Sequence, residues 1–270
     1  MNSRVNTFHL GPQKSGTTWL FRAMKEHYQV ATSESDSIHF FNMFYHKGEE
    51  WFHDKFSTFN RPVIFDPSPS YIRGDITAKR IYEYNADAKL MITVRNPLER
   101  AFSHYWHEKK KERFNFGFQE VFLNYDLYVN WLEPGFYAQQ ITRFLDYFPS
   151  ESFKILFFDD LELDPKRFIR DVYNYCNIDS TFIPSVINSR VNAAGVKKST
   201  EKKIREESVS KIPFFGRRFL RLKRLYRPDY IERFEDQSKE IKLKLLDVFI
   251  SEIEELEKIA GRDLTKWKMY

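Results

Sequence analysis

The chain has 270 residues, a length that suits one large α/β domain with helical insertions better than two separate domains. Hydrophobic residues make up 42% and aromatics 17%, with 27 Phe, which excludes a disordered chain. A net charge of +5 points to an anionic partner without naming its kind, and the single cysteine, Cys176, excludes an internal disulfide and fits a reducing compartment.

Met1-Asn2-Ser3-Arg4 leads into a short apolar run ending at Gly11, too short for a secretory signal. No stretch approaches the ~20 apolar residues of a membrane span, so a soluble, cytoplasmic protein is expected. Residues 5–10 read as a strand and 15–28 as a helix opening at a Gly-containing loop. Residues 63–66 form a short strand that runs into the turn Pro67-Ser68-Pro69-Ser70, followed by a helix over 76–85. A strand over 89–94 precedes Pro97, which opens a helix reaching about residue 113. Helix over 135–147, strand over 153–158, helix over 165–176 and a last helix over 233–259, stopped by Gly261, complete the pattern. Strands alternating with helices predict a single three-layer α/β domain of P-loop type, with a mostly parallel central sheet between helices.

The first chemical signal is Gly11-Pro-Gln-Lys-Ser-Gly16-Thr17-Thr18-Trp19, between a strand and an amphipathic helix. Backbone N–H groups at such a junction form an anion site. The glycines have P-loop spacing, but Thr17 stands where the Walker lysine belongs, and the lysine has moved inside the loop to Lys14. A phosphoryl group transferred with heavy charge needs a metal ion and that Walker lysine. A less charged sulfuryl group needs only one lysine at the bridging oxygen, with no metal required.

The strand Leu90-Met-Ile-Thr-Val94 ends in Arg95 where a Walker B strand ends in Asp. At the C-terminal edge of a parallel strand, Arg95 lies where α/β sheets bind ligands. Ser103 follows two turns into the next helix. A guanidinium plus a hydroxyl is the combination that suits a second phosphate.

Pro12-Gln-Lys-Ser-Gly-Thr-Thr-Trp19 resembles the 5′-phosphosulfate loop of sulfotransferases that use 3′-phosphoadenosine 5′-phosphosulfate (PAPS), and Arg95-Asn-Pro with Ser103 eight residues on resembles their 3′-phosphate motif. The resemblance implies that Lys14 contacts the bridging oxygen and that the backbone of Ser15, Gly16, Thr17 and Thr18 holds the 5′-phosphate. It also implies that the two threonines add hydroxyls, that Trp19 stacks on adenine (a core aromatic on the helix being the alternative), and that Arg95 and Ser103 bind the 3′-phosphate, with PAP as product. Val63-Ile-Phe-Asp-Pro-Ser-Pro-Ser-Tyr71, Leu156-Phe-Phe-Asp-Asp-Leu161 with Asp164-Pro165, and Gly261-Arg-Asp-Leu-Thr-Lys-Trp267 are similar to segments of bacterial and heparan-sulfate-type members. Arg190-Val-Asn-Ala-Ala-Gly-Val-Lys-Lys-Ser199 is similar to their late basic loop, which makes Lys197 and Lys198 candidate 3′-phosphate clamps.

Heparan-type relatives carry Lys-Glu-x-His-Phe-Phe-Asp after the phosphate loop, with Glu as the base. This chain has Asp36-Ser37-Ile38-His39-Phe40-Phe41-Asn42, so Ser37 occupies the acid slot. His39 is the candidate base, with Asp36 and Asp66 as rivals and histidine packing under the Phe pair as the bland alternative. The resemblance favours a saccharide or glycolipid acceptor; a small alcohol, a carrier-bound acyl chain or a peptide tyrosine stay open.

Residues 197–227 hold twelve Lys/Arg against Glu201, Glu206 and Glu207. Phe215, Phe219, Leu222 and Tyr226 share a helical face there, so residues 214–226 are a candidate for peripheral membrane contact or for docking on the protein body. No nucleic-acid reading motif is present. The rival enzyme is a P-loop kinase with Ile155-Leu-Phe-Phe-Asp159-Asp160 as Walker B and Thr18 on Mg²⁺. A rival of another class is a nucleotide- or lipid-binding module without chemistry.

Overall fold

A computed structural model describes residues 4–111, 113–188 and 234–269. Lys197, Lys198 and the 214–226 segment lie outside the described residues, so the roles expected of them have no structural account. The unit comprising Met1–Val191 and Ser238–Tyr270 carries everything below; of a second unit, Asn192–Gln237, only the last four residues are described.

Five parallel strands build the sheet: β1 (Thr7–His9), β2 (Val30–Thr32), β3 (Val63–Asp66), β4 (Lys89–Val94) and β5 (Phe153–Phe157), in the order β2-β3-β1-β4-β5. Parallel strands covered on both faces need apolar side chains on both, and β3 is buried at every position. Thr7 pairs with Phe65 on one side and Lys89 on the other, so β1 lies between β3 and β4. The chain crosses back over β1 between β3 and β4, which opens a crevice at the carboxyl ends of these strands. The α/β fold expected from the alternating pattern is the fold observed, and β3 and β4 begin and end where the sequence placed them.

The helices are α1 (Thr17–Glu26), α2 (Gly48–His53), α3 (Thr77–Tyr84), α4 (Pro97–Lys109), α5 (Tyr125–Leu127), α6 (Tyr137–Leu145), α7 (Phe158–Leu163), α8 (Pro165–Cys176) and α9 (Lys239–Ala260). Local chemistry sets several ends. Asn96 accepts from Leu98 N at 3.0 Å ahead of Pro97, Asp164 accepts from Lys166 N and Arg167 N, and Gly261 closes α9 at φ 59°. α4 stops at Lys109, earlier than expected, and the π turn Phe40–Phe44 and helix α2 were not foreseen.

The two faces of the sheet differ. One core packs Leu20 and Met24 of α1 and Phe168, Ile169 and Val172 of α8 against Met91 and Leu156. The other is aromatic: Phe8 meets Phe41 edge-on at 5.6 Å, and Phe40 stacks on Phe52 at 4.6 Å. The aromatic core anchors the segment that presents His39.

Candidate active site

The phosphate loop is shaped by two glycines for which no other residue fits. At Gly11 (φ 103°) a Cβ would stand 2.0 Å from Pro69 O, and at Gly16 (φ 83°) it would meet Leu161 Cδ2 at 2.8 Å. Lys14, between them, also takes a left-handed conformation at φ 74°. Leu10 N donates to Met91 O at 2.8 Å, and Gly11 O accepts from Thr93 N at 3.1 Å, which ties the loop to β4. Gly16 offers no side chain to cap α1, so the first N–H groups of that helix stay available for an anion. Thr17 and Thr18 are half-buried in that first turn.

Lys14 is half-buried and makes no hydrogen bond or ion pair among the described residues. Burial first, then the neighbouring Arg95, Lys110 and Lys111 charges, push its ammonium down to about 8. Ser15 is fully buried beside the Tyr137 phenol, and its Oγ makes no well-formed hydrogen bond. A buried hydroxyl, a lysine among cations and free helix N–H groups converge on one turn of chain.

Arg95 follows β4 directly. Its Nη2 donates to Glu99 Oε2 at 3.0 Å, its guanidinium lies 4.7 Å from the Phe158 ring centroid, and its buried Nε has no partner. Tyr137 OH donates to Arg95 O at 2.8 Å and fixes the backbone there. Ser103 is nearly buried on α4. The sequence placed Arg95 here; its engagement by Glu99 in the first turn of α4 was missed, and the spacing of four residues is the signal that could have found it.

Trp19 packs as the core aromatic that the sequence left as its alternative reading. It is 5% exposed, packs edge-on to Phe168 at 6.0 Å and donates Nε1 to Val186 O at 3.2 Å. Its indole lies inside the α1–α8 core rather than offering a face to an adenine, because α1 turns that side of its first turn toward α8.

Asp66 is built into the support beneath the site. It is fully buried at the end of β3, and its two oxygens accept from Ser68 Oγ and Tyr71 OH, both at 2.7 Å. Ser68 Oγ in turn accepts from Ile38 N at 3.1 Å and His39 N at 3.0 Å, and Tyr71 OH accepts from Phe40 N at 3.0 Å. Burial pushes the carboxyl up to about 6 even though these hydrogen bonds favour its charged form. Asp66 holds the 38–41 segment in place and has no free oxygen to offer an acceptor.

That network holds His39 in the left-handed region at φ 57°, a conformation few non-glycine residues adopt. Its Nδ1 lies 2.7 Å from Ser70 Oγ, which also accepts from Asn42 Nδ2 at 2.8 Å. Burial lowers the imidazole below the ordinary histidine value, and Asp36 opposes this. Asp36 is partly exposed and accepts from Ser37 Oγ at 3.2 Å. Since Pro69 touches Gly11 and Ser70 holds His39, the turn Pro67-Ser68-Pro69-Ser70 joins the acceptor-side histidine to the phosphate loop.

The carboxylates of the kinase alternative face elsewhere. Asp159 Oδ2 accepts from Trp267 Nε1 at 2.9 Å, and Asp160 forms a two-pronged ion pair with Arg262. Both are bound to the C-terminal segment while Phe158 and Leu161 of the same helix close over Gly16.

A parallel α/β sheet carries a glycine-bounded loop at the end of β1 and an arginine at the end of β4, both at the carboxyl edge where α/β sheets bind ligands. Residues 6–221 match the model of the sulfotransferase domain family, so the chain belongs to that family. It is 29% identical over 189 residues to mouse bifunctional heparan sulfate N-deacetylase/N-sulfotransferase 4, covering 63% of this chain and 22% of that protein. It is 28% identical over 181 residues to mouse heparan sulfate glucosamine 3-O-sulfotransferase 5, covering 63% and 52%. The match thus spans from about a fifth to about half of these relatives' length. Among solved structures, a sulfotransferase from Alicyclobacillus acidocaldarius has the same fold, with a TM-score of 0.74 at 23% identity over 98% of this chain and 99% of that one. A mouse sulfotransferase, SULT7A1, solved with PAP, is similar at a TM-score of 0.55 and 13% identity over 95% and 87%.

Proposed function

We propose that the enzyme moves a sulfuryl group in line from PAPS to a hydroxyl or amine of a saccharide or glycolipid and releases PAP. The observation that carries this reading is Lys14: a cation inside the phosphate loop that makes no hydrogen bond or ion pair among the described residues, beside a Ser15 Oγ and an Arg95 Nε that have no hydrogen-bond partner. These groups fit a nucleotide with two separate phosphates. The saccharide class rests on the heparan sulfate activities that the relatives' names carry.

PAPS, when bound, supplies a sulfuryl group on a phosphate leaving group. Ser15, Gly16, Thr17 and Thr18 bind the 5′-phosphate through backbone N–H groups and the α1 terminus. Lys14 stabilises charge developing on the bridging oxygen, and Arg95 with Ser103 binds the 3′-phosphate once the guanidinium leaves Glu99. His39 accepts the acceptor's proton at Nε2. For this its Nδ1 carries the ring hydrogen and donates to Ser70 Oγ. Asp36 supports the imidazolium that results, and Asp66 fixes the backbone beneath it.

Thermal unfolding with nucleotides tests the donor. PAP should raise Tm more than 5′-AMP does, since a ligand that binds only the folded state stabilises it in proportion to affinity. Equal shifts from both, or a Mg²⁺-dependent shift from ATP in their place, would overturn the assignment.

A further inference from the structure

The two phosphate sites of the proposed donor are joined by a side chain that the reaction leaves idle. Tyr137 opens α6, is buried, and donates its phenol O–H to Arg95 O at 2.8 Å. The Ser15 hydroxyl and the buried Arg100 guanidinium lie at the same phenol oxygen. A guanidinium only donates and a carbonyl only accepts, so the phenolic hydrogen points at Arg95 and the lone pairs face Arg100 and Ser15. One oxygen thus touches the phosphate loop, the end of β4 and the inner side of α4.

The start of α6 is itself held in place. Phe136 gives that helix no side-chain cap; Glu252 of α9 supplies one, accepting from Ala138 N at 3.0 Å and Gln139 N at 3.3 Å. Just ahead, a Cβ on Gly135 would stand 3.0 Å from Pro97 Cβ and 2.9 Å from Phe249 Cε1. The chain entering α6 is therefore packed against the first turn of α4 on one side and against α9 on the other.

We infer that Tyr137 is a positioning residue that fixes the spacing between the two phosphate sites, so that a nucleotide with a phosphate at each is bound as a unit. The reason is mechanical. The backbone pairing of β1 with β4 continues to Thr93 N and Gly11 O at 3.1 Å. Beyond it the phenol ties Arg95 to Ser15 and carries the alignment of the strands into the segments that hold phosphate. The Arg95 side chain is long, so its reach toward a phosphate depends on where its backbone stands relative to the loop. Loss of the hydroxyl should therefore weaken the hold on the second phosphate more than on the first. The inference rests on the donor reading above and adds to it a residue that touches neither phosphate.

Isothermal titration of wild type and Tyr137→Phe with PAP and with 5′-AMP tests it, since the ratio of the two affinities reads the second phosphate. In Tyr137→Phe that ratio should fall about three- to tenfold, the net worth of one hydrogen bond, with 5′-AMP affinity little changed. A merely structural role would weaken both nucleotides alike and leave the ratio where it was. Should Tyr137→Phe not fold, Glu252→Gln takes its place: it loosens the start of α6 with the phenol intact and should lower the ratio in the same direction. An unchanged ratio in the folded variant, beside a wild type that prefers PAP, overturns this inference alone. A wild type that binds PAP no better than 5′-AMP overturns the donor reading and this inference with it.

Discussion

Arg95 and Glu99 are joined by a 3.0 Å hydrogen-bonded ion pair across one turn, at the mouth of the crevice where β4 gives way to α4. The arginine that the family motif assigns to the 3′-phosphate is therefore held by a carboxylate in the first turn of the helix that follows it. Both side chains are partly exposed, so the pair is weak, on the order of 0.3–0.5 kcal/mol. Glu99→Gln should release the guanidinium and tighten PAP binding about twofold, with 5′-AMP affinity unchanged. Isothermal titration of both nucleotides checks this; weaker PAP binding would mean that Glu99 aims Arg95 at the phosphate.

Lys14→Ala should lower kcat by about two to three orders of magnitude, the loss seen when one transition-state donor is removed. PAP affinity should fall far less, because backbone N–H groups hold the 5′-phosphate. In the wild type, PAP affinity should weaken as pH rises through about 8, since only protonated Lys14 attracts the anion and bound PAP keeps it protonated to higher pH. The slope should flatten in the alanine variant. Collapse of PAP binding with near-normal residual kcat would make Lys14 an affinity residue.

His39→Ala should reduce kcat by about 10²–10⁴-fold with PAP affinity kept. The imidazole works when neutral, so kcat/KM should rise with pH through a midpoint below the ordinary histidine value, the direction in which burial moves it. Asp36→Asn should have a milder effect. An inactive Asp36→Asn variant beside an active His39→Ala variant would transfer the base role to Asp36.

Asp66 makes stability fall as pH rises. Its folded-state value, about 6, lies above that of an unfolded carboxyl, so the native chain holds a proton that the unfolded chain has lost. This contribution is fully present below the unfolded range and disappears as pH rises through about 6. It amounts to at most about 3 kcal/mol. Urea unfolding of wild type and Asp66→Asn at pH 5 and 7.5 isolates it; identical pH dependence in both would refute the assignment.

Trp19→Ala should cost about 3–5 kcal/mol of stability, the range for a buried aromatic. Trp19→Phe should cost less and leave PAP affinity within twofold. A large loss of PAP affinity in a well-folded Trp19→Phe protein would restore the stacking role.

The strand-helix alternation, the Gly11–Gly16 loop and the Arg95–Ser103 spacing were legible in the amino-acid sequence because each is a local pattern. Side-chain period and turn residues act over a few positions, and a phosphate loop is continuous chain. Lys14 could thus be singled out before any coordinates. Three things were not local. Trp19 stands in a motif position, yet whether its ring faces ligand or core depends on α8, some 150 residues away. Asp66 reads as a free carboxylate until Ser68 and Tyr71 are seen to fold back on it and fasten the 38–41 segment. His39 is joined to the phosphate loop only through the Ser-Pro-Ser turn, whose carbonyl presses on Gly11. Burial and electrostatics sum over neighbours in space, and those neighbours are assigned by the tertiary fold.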